Sequence, residues 1–258
     1  MESPLISIIT VSLNAERYIE QTIQSVSRQT YKNIEYIVVD GGSTDGTIEI
    51  INKYRDKIDR FVSEKDEGIA AAMNKGVSLA TGDYVIFLHA DDFFAHDYSL
   101  ENVIQSMDKT ADIIACNIQF GKHLKIYKPR GFNFWFNFKG MPHQGILCHR
   151  SLIEKFNGFD KQFLICMDYD LFLKAYRHGA KLNKVSTILA VMRDTGISSR
   201  NDWISLKNRF NEERQIHQKN CHSVFLKALY KLYWPLYILY RYMLCTFKGV
   251  EESYNSGK

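Results

Sequence analysis

The chain has 258 residues, of which 45% are hydrophobic and 24% are charged, with only 4 prolines and 15 glycines. These proportions are those of a globular protein and exclude a collagen-like or wholly disordered chain. The net charge is only +4, and lysines and arginines are scattered through the first two thirds of the chain. We therefore do not expect a nucleic-acid-binding protein.

The cysteines and the N-terminal segment predict the compartment. The five cysteines are odd in number and include no CxxC pair, which favours a reducing environment. Glu2 stands where a signal peptide carries basic residues, and the apolar run at residues 6–11 is too short for its hydrophobic region. We therefore expect a cytoplasmic location.

The first predicted elements are a strand and a helix. Residues 6–11 form a short run rich in β-branched side chains, which is typical of a strand. Ile19, Ile23 and Val26 then repeat at helical spacing after Asn14, which is the predicted N-cap of that helix. One strand followed by one helix is the basic unit of an α/β fold.

The same alternation recurs along the first half of the chain. Further strands are predicted at residues 36–39, 60–63 and 84–88, with helices after the glycine-rich segment 40–46 and at 69–79. Strands and helices that alternate through short links predict a doubly wound, mostly parallel central sheet. Ligands of such a sheet bind beyond the carboxyl ends of its strands.

The pattern changes from about Asp112 onward. Strand-like runs follow at residues 113–116, 124–127, 145–148 and 185–192, with a helix near 171–176. Gly121 lies between the first two runs and indicates a hairpin. We therefore expect a small antiparallel portion beside the parallel sheet.

The last part of the chain, from Trp203, is helical and increasingly aromatic. We divide the protein into a catalytic domain, residues 1–200, and a helical extension, residues 201–258. Lys227, Lys231 and Arg241 are the only charged residues between 224 and 247, and at helical spacing they share one narrow arc opposite several leucines.

This extension has two interpretations. Its longest uncharged stretch, residues 232–240, is too short to span a bilayer, and Pro235 would kink a helix there. An amphipathic helix with a basic face can instead lie on the membrane surface. The alternative is that its leucine face packs on the catalytic domain or on a partner subunit.

Acidic residues follow three successive predicted strands. Asp40 follows the second strand, residues 66–68 (Asp-Glu-Gly) the third, and residues 89–92 (His-Ala-Asp-Asp) the fourth. The carboxyl ends of parallel strands share one edge, so these carboxylates should converge and repel one another unless a cation joins them. Mg²⁺ or Mn²⁺ shared with a diphosphate fits such oxygen ligands. Alternatively, each aspartate is only a turn or helix-capping residue.

Three segments resemble family-2 glycosyltransferases in the order in which that family carries them. They are residues 6–14, residues 38–47 (VVDGGSTDGT), and residues 63–92, which include Asp-Glu-Gly-Ile and Ala-Asp-Asp. The resemblance covers about residues 5–200 and is greatest to the capsule and exopolysaccharide branch, including colanic-acid-type transferases. It implies a GT-A fold, a nucleotide-sugar donor, a divalent metal and inversion at the anomeric carbon.

The resemblance also implies roles for individual residues. Asp40 and Asp66 correspond to residues that hold the base and ribose of the donor. Asp91 and Asp92 correspond to the family's aspartate pair, in which Asp91 approaches the ribose or phosphate and Asp92 binds the metal. Asn74 is a further candidate for the donor pocket.

An acceptor hydroxyl needs a base to take its proton as it attacks. Asp168 and Asp170 are the candidates, and because they lie two residues apart at a helix start, they point in different directions. The family's Glu-Asp motif aligns its aspartate with Asp168, although both carboxylates could simply complement the helix N-terminus. His143 and Gln144 resemble a His-Gln segment of the same branch and are candidates for the sugar or acceptor pocket.

The resulting prediction is an inverting glycosyltransferase that uses Mn²⁺ or Mg²⁺. It would move a sugar from a nucleoside-diphosphate donor, expected to be a UDP-sugar, to a hydroxyl of a glycan or lipid-linked acceptor in cell-surface polysaccharide synthesis. The extension would touch the inner face of the cell membrane. One alternative is a nucleotidyltransferase that makes the sugar nucleotide, although the Gly-rich basic loop that grips a triphosphate is absent from the sequence. The other is an inactive scaffold that binds a sugar nucleotide.

Overall fold

A computed structural model describes residues 3–196, 199–200 and 202–256. The chain divides into two compact units, Met1–Thr195 and Gly196–Lys258. We call them the N-terminal unit and the C-terminal unit and describe each by itself.

Half of the sheet in the N-terminal unit is parallel. Its strands are β1 (Ile6–Ser12), β2 (Ile34–Asp40), β3 (Arg60–Ser63) and β4 (Tyr84–Phe87). They lie in the order β3-β2-β1-β4, with every neighbouring pair parallel. The chain order therefore reverses between β1 and β4, and a crevice opens at the carboxyl ends of strands at such a point.

Helices connect these strands as the periodicity predicts. They are α1 (Ile19–Ser27), α2 (Thr47–Lys53) and α3 (Ile69–Leu79). Ile19, Ile23 and Val26 are buried against the sheet, and full burial of each such side chain contributes roughly 1.5–3 kcal/mol. The predicted N-cap is wrong, because α1 begins after Tyr18. Asn14 instead has a positive φ of 50°, and its side-chain oxygen accepts a hydrogen bond from the Thr44 amide at 2.9 Å.

The other half of the sheet is mixed. It contains β5 (Phe93–Phe94), β6 (Ile113–Phe120), β7 (Lys125–Tyr127), β8 (Ile146–His149) and β9 (Leu182–Met192). These strands extend the order from β4 through β8, β6 and β9 to β5, while β7 pairs with β6. The β6–β9 pair is parallel and the other pairs are antiparallel. This arrangement confirms the predicted fold class, and Gly121, at φ 66°, lies in the predicted β6–β7 hairpin.

Three further helices lie in this half of the unit. They are α4 (Ser99–Ser106), α5 (Arg150–Lys155) and α6 (Met167–Arg177). Of these, the sequence pattern predicted only α6. A short turn of 3₁₀ helix, His143–Gly145, leads directly into β8. The two elements that matter for the site are this turn and the first turn of α6.

The C-terminal unit consists of α7 (Trp203–Asn220) and α8 (Val224–Ser256). Aromatic residues hold the helices together: the His217 ring stacks on Tyr230 at 4.2 Å, and Trp234 donates a hydrogen bond from Nε1 to Nδ1 of His217 at 3.2 Å. Arg241 lies over the Phe210 ring at 5.4 Å, so it faces α7 rather than sharing a solvent-facing arc with the lysines.

The predicted leucine face of α8 is exposed. Leu232 and Leu236 are each 67% exposed and Leu239 is 54% exposed, while Lys227 and Lys231 are also exposed. The helix therefore has two apolar faces, of which the aromatic one packs on α7. Over the part of the chain that the structure describes, no helix combines the length and the hydropathy needed to cross a bilayer.

Candidate active site

The loops that follow β1, β2, β3 and β4 meet at one edge of the sheet, as their parallel order requires. The backbone amide of Ala90, after β4, donates a hydrogen bond to the carbonyl of Val11 in β1 at 3.2 Å. The Gly41 amide, after β2, likewise donates to the carbonyl of Ser12 at 2.9 Å. The predicted acidic segments therefore lie beside the crevice between β1 and β4.

Asp40 organises the loop after β2. Its carboxylate is fully buried and accepts hydrogen bonds from the hydroxyls of Ser12, Ser43 and Ser63 and from the amides of Gly42 and Ser43, at 2.5–3.1 Å. Burial acts to raise the pKa of Asp40, but the hydrogen bonds outweigh it and the pKa is lowered. The side chain is therefore held ionised, with both oxygens already bonded to the protein.

Asp66 lies against the same loop. One of its oxygens accepts a hydrogen bond from the Gly68 amide at 2.9 Å, and the side chain is only half-buried. Its other oxygen lies 2.8 Å from the point where a Cβ on Gly41 would stand. A side chain at position 41 would therefore force the Asp66 carboxylate to shift. The predicted pair Asp40 and Asp66 is brought together, with Asp66 the more accessible member.

Asp92 has the least satisfied carboxylate of the predicted set. It is 1% exposed, and its Oδ1 accepts a hydrogen bond from the Arg193 amide at 3.2 Å. Its Oδ2 is buried without a hydrogen-bond partner among the described residues. Burial raises the pKa of Asp92 well above its usual range and neighbouring Asp91 adds to the rise, while bonds from Arg193 and Gln144 oppose it.

Arg193, directly after β9, is a site residue that the sequence analysis missed. Its guanidinium donates a hydrogen bond to the backbone carbonyl of Asp91 and lies 4.7 Å from the centre of the Tyr18 ring. It therefore places a positive charge beside both aspartates of the pair. Asp91 also accepts a hydrogen bond from Thr195 at 2.9 Å. In the sequence, the one feature that could have indicated Arg193 is its position directly after a predicted strand.

His143, Gln144 and Asp168 join the same cluster. Nδ1 of His143 lies 3.0 Å from Oδ2 of Asp168, and the His143 ring meets the His89 ring edge-on with centroids 4.6 Å apart. The Gln144 side chain lies close enough to Asp92 to act against the rise of its pKa. His89 is buried, and this burial, reinforced by His143, lowers its pKa so that the ring stays neutral. The predicted acceptor-side residues thus lie in the same neighbourhood as the predicted metal-binding residue.

Two other candidates lie elsewhere. Both ends of the Asn74 amide are bonded to the backbone of Phe159, at 2.7 and 2.8 Å, so this side chain joins α3 to a segment 85 residues away. Asp170 is 1% exposed and pairs with Lys174 one turn further along α6. Of the two aspartates at the start of α6, the one that contacts the cluster is Asp168, and the expected difference in their directions is observed.

The cluster has several buried polar atoms without partners. In the portion described they are Oδ2 of Asp92, Oε1 of Gln144, Nε2 of His143 and both ring nitrogens of His89. Because buried polar atoms are nearly always hydrogen-bonded, a concentration of exceptions marks a place built for a polar guest.

We tested this donor set against a divalent cation. Two of the unpartnered atoms, on Asp92 and Gln144, are oxygens of the kind that Mg²⁺ and Mn²⁺ prefer. Within residues 3–196, 199–200 and 202–256, no three His, Cys, Asp or Glu side chains form a metal-binding group. The residues present therefore fit a cation that takes one or two protein oxygens and completes its shell with substrate phosphate.

A doubly wound sheet with aspartates gathered at the switch between β1 and β4 defines the GT-A class of fold, and solved structures share it. Residues 1–349 of TarS from Staphylococcus aureus, in complex with UDP-GlcNAc, superpose with a TM-score of 0.70 at 18% identity, covering 92% of this chain and 72% of TarS 1–349. The mannosyltransferase PcManGT from Pyrobaculum calidifontis, in complex with GDP-Man and Mn²⁺, gives 0.69 at 18% identity, covering 97% and 76%.

The family model described as Glycosyl transferase family 2 matches residues 7–180, so the chain belongs to that family. An uncharacterized glycosyltransferase of Haemophilus influenzae is 51% identical over 100 residues, 38% of this chain and 40% of the relative. The putative glycosyltransferase EpsH of Bacillus subtilis is 33% identical over 119 residues, 45% of this chain and 34% of EpsH. A PGL/p-HBAD biosynthesis glycosyltransferase of Mycobacterium bovis is 26% identical over 221 residues, 81% of each chain. The chain thus matches less than half the length of the first two relatives.

Proposed function

We propose that this protein is an inverting glycosyltransferase that uses a nucleoside-diphosphate sugar. The observation that supports it most is the unpartnered, buried Oδ2 of Asp92 beside the hydrogen-bonded pair of His143 and Asp168. The residue proposed to hold the cation and the residue proposed as the base would therefore serve one site. Family membership supports the same reaction class.

The donor would lie along the loops after β2, β3 and β4. Asp66 and Asp91 are the carboxylates that could meet the nucleoside, and Asp40 holds the loop against which it would rest. Asn74 already uses one N–H and one carbonyl lone pair on Phe159, so only its second N–H and second lone pair could meet a sugar nucleotide. The complexes of TarS with UDP and with UDP-GlcNAc support a uridine nucleotide, and that of PcManGT with GDP-Man supports a nucleoside-diphosphate sugar in general.

Asp92 and Gln144 would hold Mn²⁺ or Mg²⁺. A bound divalent cation supplies charge neutralisation for the departing diphosphate. Arg193 already places one fixed positive charge beside Asp91 and Asp92 in the protein itself. Arg193 therefore offsets part of the negative charge of Asp91 and Asp92, whether the bound cation is Mn²⁺ or Mg²⁺.

Asp168 would act as the base. Its carboxylate takes the proton of the acceptor hydroxyl while that oxygen bonds to the anomeric carbon. The bond from this carbon to the diphosphate oxygen breaks on the opposite face, and the bonding pair leaves with the nucleoside diphosphate. One displacement of this kind inverts the anomeric configuration.

The first experiment is a screen of UDP- and GDP-sugars with the purified full chain in Mn²⁺, Mg²⁺ or EDTA, followed by mass spectrometry. We expect one donor to release free nucleoside diphosphate in the presence of a divalent cation, and EDTA to reduce that release at least about tenfold. Release of inorganic diphosphate from a nucleoside triphosphate and a sugar phosphate would indicate the nucleotidyltransferase instead. Binding of a donor without turnover in any metal would indicate an inactive scaffold.

The C-terminal unit supports the part of the proposal that concerns the membrane. We propose a glycan or lipid-linked acceptor in cell-surface polysaccharide synthesis, of the capsule and exopolysaccharide branch, and a cytoplasmic enzyme bound peripherally to the membrane. The exposed leucines of α8, with Lys227 and Lys231 exposed on the same helix, have the composition of a helix that lies on an anionic bilayer.

This membrane contact is tested by flotation with vesicles that contain anionic phosphatidylglycerol. The full chain should float, and Leu232→Glu combined with Leu236→Glu should reduce the bound fraction about tenfold, because two charges enter the apolar face. Ile204→Glu is the matched control, since Ile204 is 73% exposed on α7. Equal flotation of the double variant and the original chain would contradict the proposal, and a leucine-dependent dimer without lipid would favour packing between subunits.

A further inference from the structure

His143 contacts the proposed base through a single nitrogen. Its Nδ1 lies 3.0 Å from Oδ2 of Asp168, and both side chains are largely buried, at 15% and 17% exposure. Nε2 of the same ring is buried without a partner among the described residues. A proton on Nδ1 can be donated to the carboxylate, whereas a proton on Nε2 would be buried without an acceptor. The Nδ1–H tautomer is therefore the one that this site favours.

The orientation of the His143 ring is fixed from its other side. The His89 ring meets it edge-on at 4.6 Å, and His89 is itself buried. The backbone around His143 is held in a turn of 3₁₀ helix that runs into β8 in the middle of the sheet. The imidazole therefore presents its Nδ1 to Asp168 from a rigid element.

The Asp168 carboxylate is then held at both oxygens. Oδ1 accepts a hydrogen bond from the Tyr169 amide at 2.7 Å, and Oδ2 accepts from His143. Tyr169 is in turn anchored, because its hydroxyl donates to the carbonyl of Phe136 at 3.0 Å. Two fixed donors stop rotation of the carboxylate and leave its remaining lone pairs directed away from them.

We infer that His143 is a positioning residue, which holds the Asp168 carboxylate through Nδ1 in the one orientation that receives the acceptor proton. This inference rests on the proposed function, because it assumes that Asp168 is the base. It replaces the predicted role of His143 as a lining residue of the sugar pocket. Partners that orient a metal ligand typically change activity 10–100-fold when they are removed, and we expect a similar range for a partner that orients the base.

The experiment compares three substitutions, because asparagine and glutamine amides place an N–H near Nδ1 and Nε2 of histidine respectively. We expect His143→Leu and His143→Gln to lower kcat roughly 10–100-fold with little change in the donor KM. His143→Asn should recover kcat to within about threefold of the original enzyme, because it restores the donor to Asp168. His149→Leu is the matched control, since His149 bonds to Ser151 and lies outside the cluster.

A second measurement separates positioning from damage to the fold. His143→Leu added to Asp168→Asn should lower kcat no further than Asp168→Asn does alone, because His143 acts through Asp168. Thermal unfolding of every variant identifies any that fold poorly, and kcat is then taken per folded molecule.

The opposing results are distinct. Three results would overturn this inference while Asp168 keeps its role. His143→Leu could be fully active, His143→Asn could lose as much activity as His143→Leu, or the loss could be confined to the donor KM. Full activity of Asp168→Asn would instead overturn the assignment of the base on which the inference rests. Additive losses in the double variant would also show that His143 acts independently of Asp168.

Discussion

Replacing Asp92 by asparagine is expected to abolish glycosyl transfer and, at the same time, to stabilise the protein without its ligands. The carboxylate oxygen proposed to hold the cation is lost, which should lower turnover about 1,000-fold or more, since such a cation contributes several kcal/mol. The same carboxylate is 1% exposed and has an oxygen without a partner in the described chain. Asparagine keeps its shape without a charge, so the free energy of unfolding should rise by about 1–2 kcal/mol.

The stability gain should depend on pH in a defined direction. The pKa of Asp92 is raised in the folded protein by burial and then by Asp91, whereas in the unfolded chain it is about 3.9. Above pH 4 the unfolded state therefore releases a proton that the folded state retains, and stability is lost as the pH rises. Asparagine does not ionise, so the Asp92→Asn variant does not lose stability in this way. Its advantage should grow as the pH rises above about 4 and should vanish below that pH, where Asp92 is protonated in both states.

Urea unfolding in EDTA at several pH values measures the stability, and donor turnover in Mn²⁺ measures the activity. Asp97→Asn is the control, because Asp97 is an exposed aspartate that pairs with Arg28. It should leave both quantities nearly unchanged. Glycosyl transfer by the Asp92 variant at ordinary metal and donor concentrations would contradict the metal assignment, and a loss of stability at pH 7 would contradict the account of its burial.

Replacing Asp168 by asparagine is expected to lower kcat by about 100- to 10,000-fold, which is the range that a positioned general base contributes. Asparagine keeps the size of the side chain and can still accept a hydrogen bond from His143, so the surrounding contacts should persist. Donor affinity, measured by calorimetry with the nucleoside diphosphate, should change little. The loss would then be in the chemical step and not in donor binding.

Asp170→Asn is the matched control for this prediction, because it changes the other aspartate of the same helical turn. Asp170 is buried and paired with Lys174, so breaking this pair should cost about 3 kcal/mol of stability. Its activity per folded molecule should stay within about twofold of the original. If Asp170→Asn loses as much kcat as Asp168→Asn, or if Asp168→Asn retains kcat, the assignment of the base to Asp168 is wrong.

Much of the N-terminal unit could be predicted because its first half is built from local repeats. β1, β2 and β4 are almost wholly buried, and a helix follows each of β1, β2 and β3, so the local pattern locates β1 to β4 and α1 to α3. β5 has only two residues, too few to show a period. α4 does carry a helical repeat in Leu100, Val103 and Ile104, which the sequence analysis did not use. Asn14 was misassigned because an asparagine before a helical repeat can cap a helix or bridge two loops, and only the position of Thr44 decides between them.

Local patterns and motifs were enough to predict the α/β architecture, the family resemblance and the candidates Asp92, Asp168 and His143. The tertiary structure alone brought Arg193 to the aspartate pair, bonded Asn74 to Phe159, and turned His143 toward Asp168. It also covered the aromatic face of α8 and left the leucine face exposed. These contacts join residues 17 to 102 positions apart. Such contacts form when distant segments pack together, and they leave no periodic pattern in the local sequence.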